Sequence, residues 1–345
     1  MSPTIYTIIL TSLATGTIIT MSSFHWLMAW IGLEINTLAI IPNISTTHHP
    51  RSTEAATKYF LTQAAASALI LFSSMINAWQ TGYWDITQLS STPSHILLTV
   101  ALAMKLGLAP LHFWLPEVLQ GSTMSTALII ITWQKLAPMS LIFLTMNNLS
   151  TTILLTLGLT SSLVGGWAGL NQTQTRKIMA YSSIAHLGWM ATISSIMTNI
   201  LIMNLLIYLT MTTSLFYFLI ITKSKTIQNL TTIWTLSPMM SIMMMLSLLS
   251  LGGLPPLTGF LPKWLIMEEL INQNLTTVTI FMALISLLSL FFYIRLAYTT
   301  TLTLSPNMTQ TKFKWRFYPS MKTTTILIST MITIFMMPMM STILM

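Results

Sequence analysis

Ala101–Gln120, "ALAMKLGLAPLHFWLPEVLQ", sets a lysine inside an apolar run and follows it with two prolines. Lys105 lies about ten residues from either end of the apolar stretch 95–115, roughly 15 Å of helix in each direction. A lysine stem is too short to carry its ammonium that far to water. Pro110 and Pro116 remove backbone donors just beyond it and interrupt the helix. Such an interruption is tolerated at membrane depth only where the freed carbonyls meet protein or a water-filled cavity.

The rest of the chain supplies that setting. Its 345 residues are 53% hydrophobic and 6% charged, and the mean hydropathy is +0.75, which excludes an ordinary soluble domain. Apolar runs of the roughly 20 residues needed to cross a bilayer recur at 4–22, 24–45, 57–78, 95–115, 122–146, 151–170, 178–196, 199–222, 236–266, 276–299 and 322–344. The sequence therefore predicts an all-α polytopic membrane protein of about eleven transmembrane helices. These runs are too long and uniformly apolar for the alternating strands of a membrane barrel. The absence of cysteine excludes disulfides, thiolate metal sites and iron–sulfur clusters. "HHP" at 48–50 reads as a loop, and no metal site is expected. The N-terminal "MSPTIYTIIL" has no basic leader or cleavage pattern, so the first span is expected to be retained.

A net charge of +8 would point to nucleic acid in a soluble protein, but here its placement gives another answer. Changing sides at each span puts Arg51, Lys58, Arg176, Lys177, Lys223, Lys225, Arg295, Lys312, Lys314, Arg316 and Lys322 on one face. The opposite connections, around 22–24, 79–94, 147–150, 197–198 and 272–275, hold no Lys or Arg and one acid, Asp85. By the positive-inside rule the N-terminus is inside and the C-terminus outside. Lys105, Lys135 and Lys263 remain within spans, together with Glu34. A charge at the bilayer centre costs at least about 2.5–3.5 kcal/mol, so we read these four as ion-transfer groups. The competing reading is a buried charge pair that only fastens helices. His112 and His186 are read either as relay members or as hydrogen-bonded packing residues. Glu117 is a relay candidate or an interfacial residue, and Glu268 and Glu269 read as a solvated helix end.

A second interruption resembles the first. The run 236–266 is 31 residues long, about 46 Å as one straight helix, and "SLGGLPPLTGFLPKW" marks where it breaks. Aligning "LAPLHFWLPE" (108–117) with "LPPLTGFLPK" (254–263) gives five identities in ten at a separation of 146 residues. An odd number of crossings between them makes the two broken helices antiparallel. This predicts an inverted repeat of two five-helix halves, 1–147 and 148–300, each with a proline-broken helix, as secondary transporters are built. Residues 301–345 form a basic loop and a C-terminal helix outside the repeat. The halves differ in charge, because Ala180 and Leu251 stand 146 residues after Glu34 and Lys105.

"PRSTEAATKYFLTQAAAS", "AMKLGLAPLHFWLPEV", "LNQTQTRKIMAYSSIAHLGWM" and "LSLGGLPPLTGFLPKW" together resemble the NADH dehydrogenase subunit 2 family, the antiporter-like membrane subunits of respiratory complex I. The resemblance runs to about residue 300. It implies that Glu34 is the family's membrane glutamate, Lys105 its ion-pair partner, Lys135 the central lysine of the next helix, and Lys263 the charge of the second broken helix. It further implies a proton relay in NADH:ubiquinone oxidoreductase, in which the nearby Glu34 carboxylate favours the charged form of Lys105 and acts as a switch. NADH, flavin, iron–sulfur clusters and ubiquinone are then expected on other subunits, with no cofactor or phosphate-binding loop in this chain. The implied location is the mitochondrial inner membrane, N-terminus in the matrix and C-terminus in the intermembrane space. Implied partners are other membrane-arm subunits, including the neighbouring antiporter-like subunit 4, and phospholipids such as cardiolipin; no nucleic acid is expected. The residues alone leave a stand-alone cation/proton antiporter as the alternative.

Overall fold

The computed structural model describes residues 3–236, 238–302 and 324–335. Its elements are α1 (Pro3–Ser22), α2 (Trp26–Ile44), α3 (Pro50–Thr81), α4 (Thr92–Leu106), α5 (Trp114–Gly121), α6 (Met124–Ile131), α7 (Trp133–Thr145), α8 (Thr151–Gly169), α9 (Thr175–Ile193), α10 (Thr198–Thr222), α11 (Ile227–Thr231), α12 (Ile233–Leu236), α13 (Pro238–Gly252), α14 (Phe260–Asn272), α15 (Thr276–Thr301) and α16 (Thr324–Phe335). Among the described residues there is no β-strand, and seven helices are long and apolar enough to cross a membrane. The apolar limbs Thr92–Leu106 and Pro238–Gly252 are shorter, because each ends at one of the expected interruptions. The expected span 322–344 is met by α16 over part of its length. The basic segment "KFKWRFYPSMK" lies outside the described residues.

The helices keep their polar side chains within their own turns. Ser73, Thr212 and Ser247 donate to the carbonyls of Ile70, Tyr208 and Met244 at 2.7–2.8 Å. Hydroxyls satisfied this way can enter an apolar medium that offers no water. Helix α3 starts with Pro50 behind a capping box of His49 and Ser52, and stops at Gly82 in the left-handed region (φ 77°). One break was not expected from sequence: the span 122–146 is divided at Thr132 (φ −103°, ψ −69°) into α6 and α7.

The chain divides into two compact units, Met1–Val164 with Ser183–Thr198, and Gly165–Ser182 with Asn199–Met345. In the first unit α1 and α2 cross where Gly16 faces Gly32: a Cβ at Gly32 would lie 2.8 Å from the Gly16 carbonyl oxygen. Helices α8 and α9 cross the same way, a Cβ at Gly188 lying 2.8 Å from the Gly158 carbonyl oxygen. Connections at one end of this unit are bonded together. His25 and Asp85 form an antiparallel bridge, the His25 ring stacks on Trp84 at 5.5 Å, and Asn148 Nδ2 donates to the Thr87 carbonyl at 2.7 Å.

In the second unit Gln174 bridges Thr226, and the Thr175 amide donates to the Lys225 carbonyl at 3.2 Å. The Arg295 guanidinium donates to the carbonyls of Leu170 and Gln172, just past the end of α8. A cation at that position caps free carbonyls and complements the helix dipole.

Both expected interruptions open with the same backbone turn, and the first goes on through a cis Ala109–Pro110 peptide that the second lacks. Gly107 and Gly253 take left-handed conformations (φ 76° and 81°) that a side chain would strain. The Gly107 amide donates to the Ala103 and Met104 carbonyls and the Leu108 amide to Ala103, while Gly253 donates to Leu249 and Ser250 and Leu254 to Leu249.

Candidate functional site

In the first unit the break between α4 and α5 faces α2, α3 and α7. A cavity there is lined by Asn36 and Thr37 of α2, Gln63 of α3, Lys105 of α4, Trp114 of α5 and Lys135 of α7, among others. Its volume is about 10 Å³, the room one water needs. Lys105 is 5% exposed and Lys135 2%, so the structure brings these two sequence-predicted lysines to one buried space.

Helix spacing explains the lining. On α3, Tyr59, Gln63 and Ser67 are four residues apart and all buried, so they form one polar stripe down a single face. On α2, Glu34 and Thr37 are three apart, and the Thr37 hydroxyl donates to Glu34 Oε2 at 3.0 Å. The Ser67 hydroxyl donates to Glu34 Oε1. The carboxylate is thus held by two hydroxyls, and it forms no salt bridge with Lys105. Among the described residues the salt bridge is Lys58–Glu117 at 2.6 Å, with both side chains about half exposed.

Lys135 is anchored by the helix break itself. Its Nζ donates to the Leu106 carbonyl at 2.6 Å and stands 5.3 Å from the centre of the Trp114 ring, within reach of the ring's negative face. Trp114 is fixed in turn, its Nε1 donating to the Met104 carbonyl at 3.2 Å and its ring meeting Tyr59 edge to face at 5.8 Å. Lys105 Nζ makes no hydrogen bond.

His112 is buried beside the same break, against the Phe113 ring at 4.3 Å. It is not among the cavity-lining residues. His186 is buried in α9. In the second unit, Lys263 Nζ donates to the Gly252 carbonyl at 2.8 Å and its stem covers Gly253. Sequence reasoning missed Asn36, Gln63, Gln134, Ser67 and Trp114. The first three carry the signal that marked the lysines, a polar side chain in mid-span, in its weaker uncharged form.

Interrupted apolar helices with lysines buried at the interruptions define an antiporter-like membrane protein. The family described as NADH:quinone oxidoreductase/Mrp antiporter, TM matches residues 23–292, and that described as NADH dehydrogenase subunit 2 C-terminus matches 290–344. NADH-ubiquinone oxidoreductase chain 2 of Polypterus ornatipinnis is 56% identical, over 98% of this chain and 97% of the relative. The chain belongs to the NADH-ubiquinone oxidoreductase chain 2 family. Among solved structures, a chain of respiratory complex I from Thermus thermophilus with bound aureothin superposes with a TM-score of 0.85 at 25% identity, covering 97% of this chain and 78% of that one. A chain of the Mrp complex from Dietzia sp. DQ12-45-1b shares the fold, with a TM-score of 0.78 at 16% identity over 87% of this chain and 61% of its own.

Proposed function

We propose that this chain is the proton-translocating, antiporter-like membrane subunit of NADH:ubiquinone oxidoreductase, and that Glu34, Lys105, Lys135 and Lys263 relay its protons. His112 and His186 are further members of the relay. The observation that carries this reading is the convergence of Lys105 and Lys135 on one buried cavity next to a carboxylate held by neutral hydroxyls. In that arrangement Glu34 exchanges partners: turned toward Lys105 it favours the ammonium, and returned to Ser67 and Thr37 it leaves a buried charge that is relieved by passing a proton on. Lys135 receives it against the Leu106 carbonyl and the Trp114 face. The chain performs no redox step; nicotinamide, flavin, iron–sulfur and quinone chemistry belong to other subunits.

The finer architecture follows the same proposal: about eleven spans, with inverted halves 1–147 and 148–300 and a tail 301–345. It is supported by the matching bonds of the two breaks and by the glycine crossings of α1 with α2 and α8 with α9. The basic connections face the matrix of the mitochondrial inner membrane, with the N-terminus there and the C-terminus in the intermembrane space. Bonding of the 173–175 segment to 224–227, and of the 22–26 connection to 84–86, fits that sorting. The neighbouring antiporter-like subunit 4 and cardiolipin are the expected partners. A stand-alone cation/proton antiporter is not favoured, since the family match runs nearly end to end.

Lys135→Met and Glu34→Gln, each keeping side-chain volume, test the relay in the assembled complex. We expect normal abundance with proton uptake and NADH:ubiquinone turnover reduced on the order of tenfold, equivalent to about 1.4 kcal/mol in a barrier. Unchanged rates in both variants would reject the relay.

A further inference from the structure

The cavity between Lys105 and Lys135 gathers more unpaired polar atoms than the lysines account for. Asn36 leaves both Nδ2 and Oδ1 without a hydrogen-bond partner, Gln63 leaves Nε2, and Lys105 leaves Nζ. Their residues are 2%, 4% and 5% exposed, and all three line the same space. A buried polar group left unpaired is costly, and nearly all such groups in folded proteins are paired with protein or with water. Four atoms from three helices, α2, α3 and α4, meeting at a space of about 10 Å³, describe a site for one water. The polarity allows it: water accepts two hydrogen bonds and donates two, so it can accept from Lys105 Nζ and Gln63 Nε2, donate to Asn36 Oδ1 and keep its second O–H for Lys135, with Asn36 Nδ2 the one atom of the four it does not bond.

We propose that Asn36 and Gln63 are positioning residues that hold a water between Lys105 and Lys135, completing the hydrogen-bonded path from one lysine to the other. This rests on the relay reading above. In the transfer, a proton leaves the Lys105 ammonium for the water oxygen as one water proton moves to the neutral Lys135 amine. One N–H bond breaks and one forms, the water is restored, and no oxidant or co-reactant is needed. The amide of Asn36 is held from behind by the α1–α2 crossing, where a Cβ at position 16 would lie 2.6 Å from its Oδ1. Its backbone carbonyl accepts from Gln134 Nε2 at 3.4 Å. Gln63 sits on the rigid α3 stripe, one turn from Tyr59 and one from Ser67.

The test uses the assembled complex in proteoliposomes with the near-isosteric, apolar variants Asn36→Leu and Gln63→Met, and Lys135→Met alongside. Two readouts are taken: proton uptake per NADH oxidised, and an infrared difference band from an internal water, identified by its shift in H₂¹⁸O. We expect both amide variants to lose the water band, and proton-coupled turnover to fall on the order of fivefold, as removal of one hydrogen-bonded link implies. A merely structural role would leave the band in place. Full pumping in both variants, or a band retained in both, overturns the inference. If Lys135→Met also pumps normally, the relay itself has failed; if it does not pump while the amide variants do, only the water site has. Should either variant fail to assemble, a map of the unmodified complex that shows ordered waters decides. A water within hydrogen-bond distance of Lys105 Nζ and the Asn36 amide supports the site, and an ordered cavity without one rejects it.

Discussion

The broken helix α4–α5 and the broken helix α13–α14 make matching backbone bonds 146 residues apart, yet different side chains answer the carbonyls those breaks release. At the first, the Met104 carbonyl accepts from the Trp114 indole at 3.2 Å. At the second, the matching Ser250 carbonyl packs against Gly259, and Phe260, whose ring has no N–H to give, stands where Trp114 does. The Leu106 carbonyl takes a lysine from the following helix, Lys135 at 2.6 Å. The Gly252 carbonyl takes one from the far limb of its own break, Lys263 at 2.8 Å. Between these carbonyls and their glycines the first break holds an unpaired Lys105, while the second holds Leu251, fully buried.

The difference teaches that backbone geometry sets a requirement and the sequence is free in how it meets it. A chain that ends a helix within apolar surroundings must find donors for its last carbonyls. A lysine's long stem can supply one from several starting points, so the contact recurs although the residue positions do not correspond. Having met the requirement locally, the second break has no further cation bonded to its carbonyls among the described residues. The first carries one lysine to cap the break and another left free to exchange partners.

Gly259→Ala should have the largest effect on stability. A Cβ there would stand 1.8 Å from the Ser250 carbonyl oxygen, so backbone must move, at a cost of about 3 kcal/mol or more. Native-gel abundance of the assembled complex should collapse. The matched position in the first break is Phe113, 71% exposed, and Phe113→Ala should leave abundance nearly unchanged. Equal losses at the two positions would break the comparison.

Trp114→Phe should have an intermediate effect. It keeps a ring face beneath Lys135 but gives the first break the residue type found in the second, leaving the Met104 carbonyl without its indole donor. The expected cost is about 1 kcal/mol, read as a lower thermal midpoint of the assembled complex. A midpoint unchanged from the unmodified complex would mean that the Met104 carbonyl does not need the indole.

How much of this was legible in sequence depended on chemical contrast. Pro110, Pro116, Pro256 and Pro262 stand out because they cluster within two apolar runs and each removes a helix donor, so both interruptions were visible, whereas the lone Pro42 and Pro138 stay inside α2 and α7. Lys105, Lys135, Lys263 and Glu34 stand out because charge is rare in this chain. The division at Thr132 was not visible, since no glycine or proline marks it. Nor was the carboxylate's choice of partner. Ser67 lies 33 residues from Glu34, and serines are common in these spans, where most hydroxyls bond only to their own helix. Asn36 and Gln63 were passed over because an uncharged amide has many neutral ways to be satisfied, and only the packing leaves the Asn36 amide and Gln63 Nε2 without a protein partner. Trp114 read as an ordinary buried aromatic. Its two tasks, capping one carbonyl and backing one lysine, exist only once the helix has broken and turned back.

Lys105→Leu should have the smallest effect on stability and is the sharpest test of the contrast, because it makes the first break resemble the second, where Leu251 occupies the matching position. Lys105 Nζ is buried and makes no hydrogen bond. Removing it therefore takes away no hydrogen bond to another protein group, leaves the Lys135–Leu106 and Trp114–Met104 contacts in place, and removes the cost of burying an amine. A leucine is close in volume to the lysine stem, so little cavity is created. The net change in stability should stay below about 1 kcal/mol, since volume is conserved and no bond between protein groups is lost, and complex abundance should match the unmodified protein. Proton uptake should nevertheless be largely lost, since the cavity would retain a single lysine with nothing to exchange with. Measuring thermal midpoint and proton uptake on the same preparation separates the two roles. A marked loss of stability would mean that Lys105 holds the helices together, and retained pumping would mean that the free lysine of the first break is not what distinguishes it from the second.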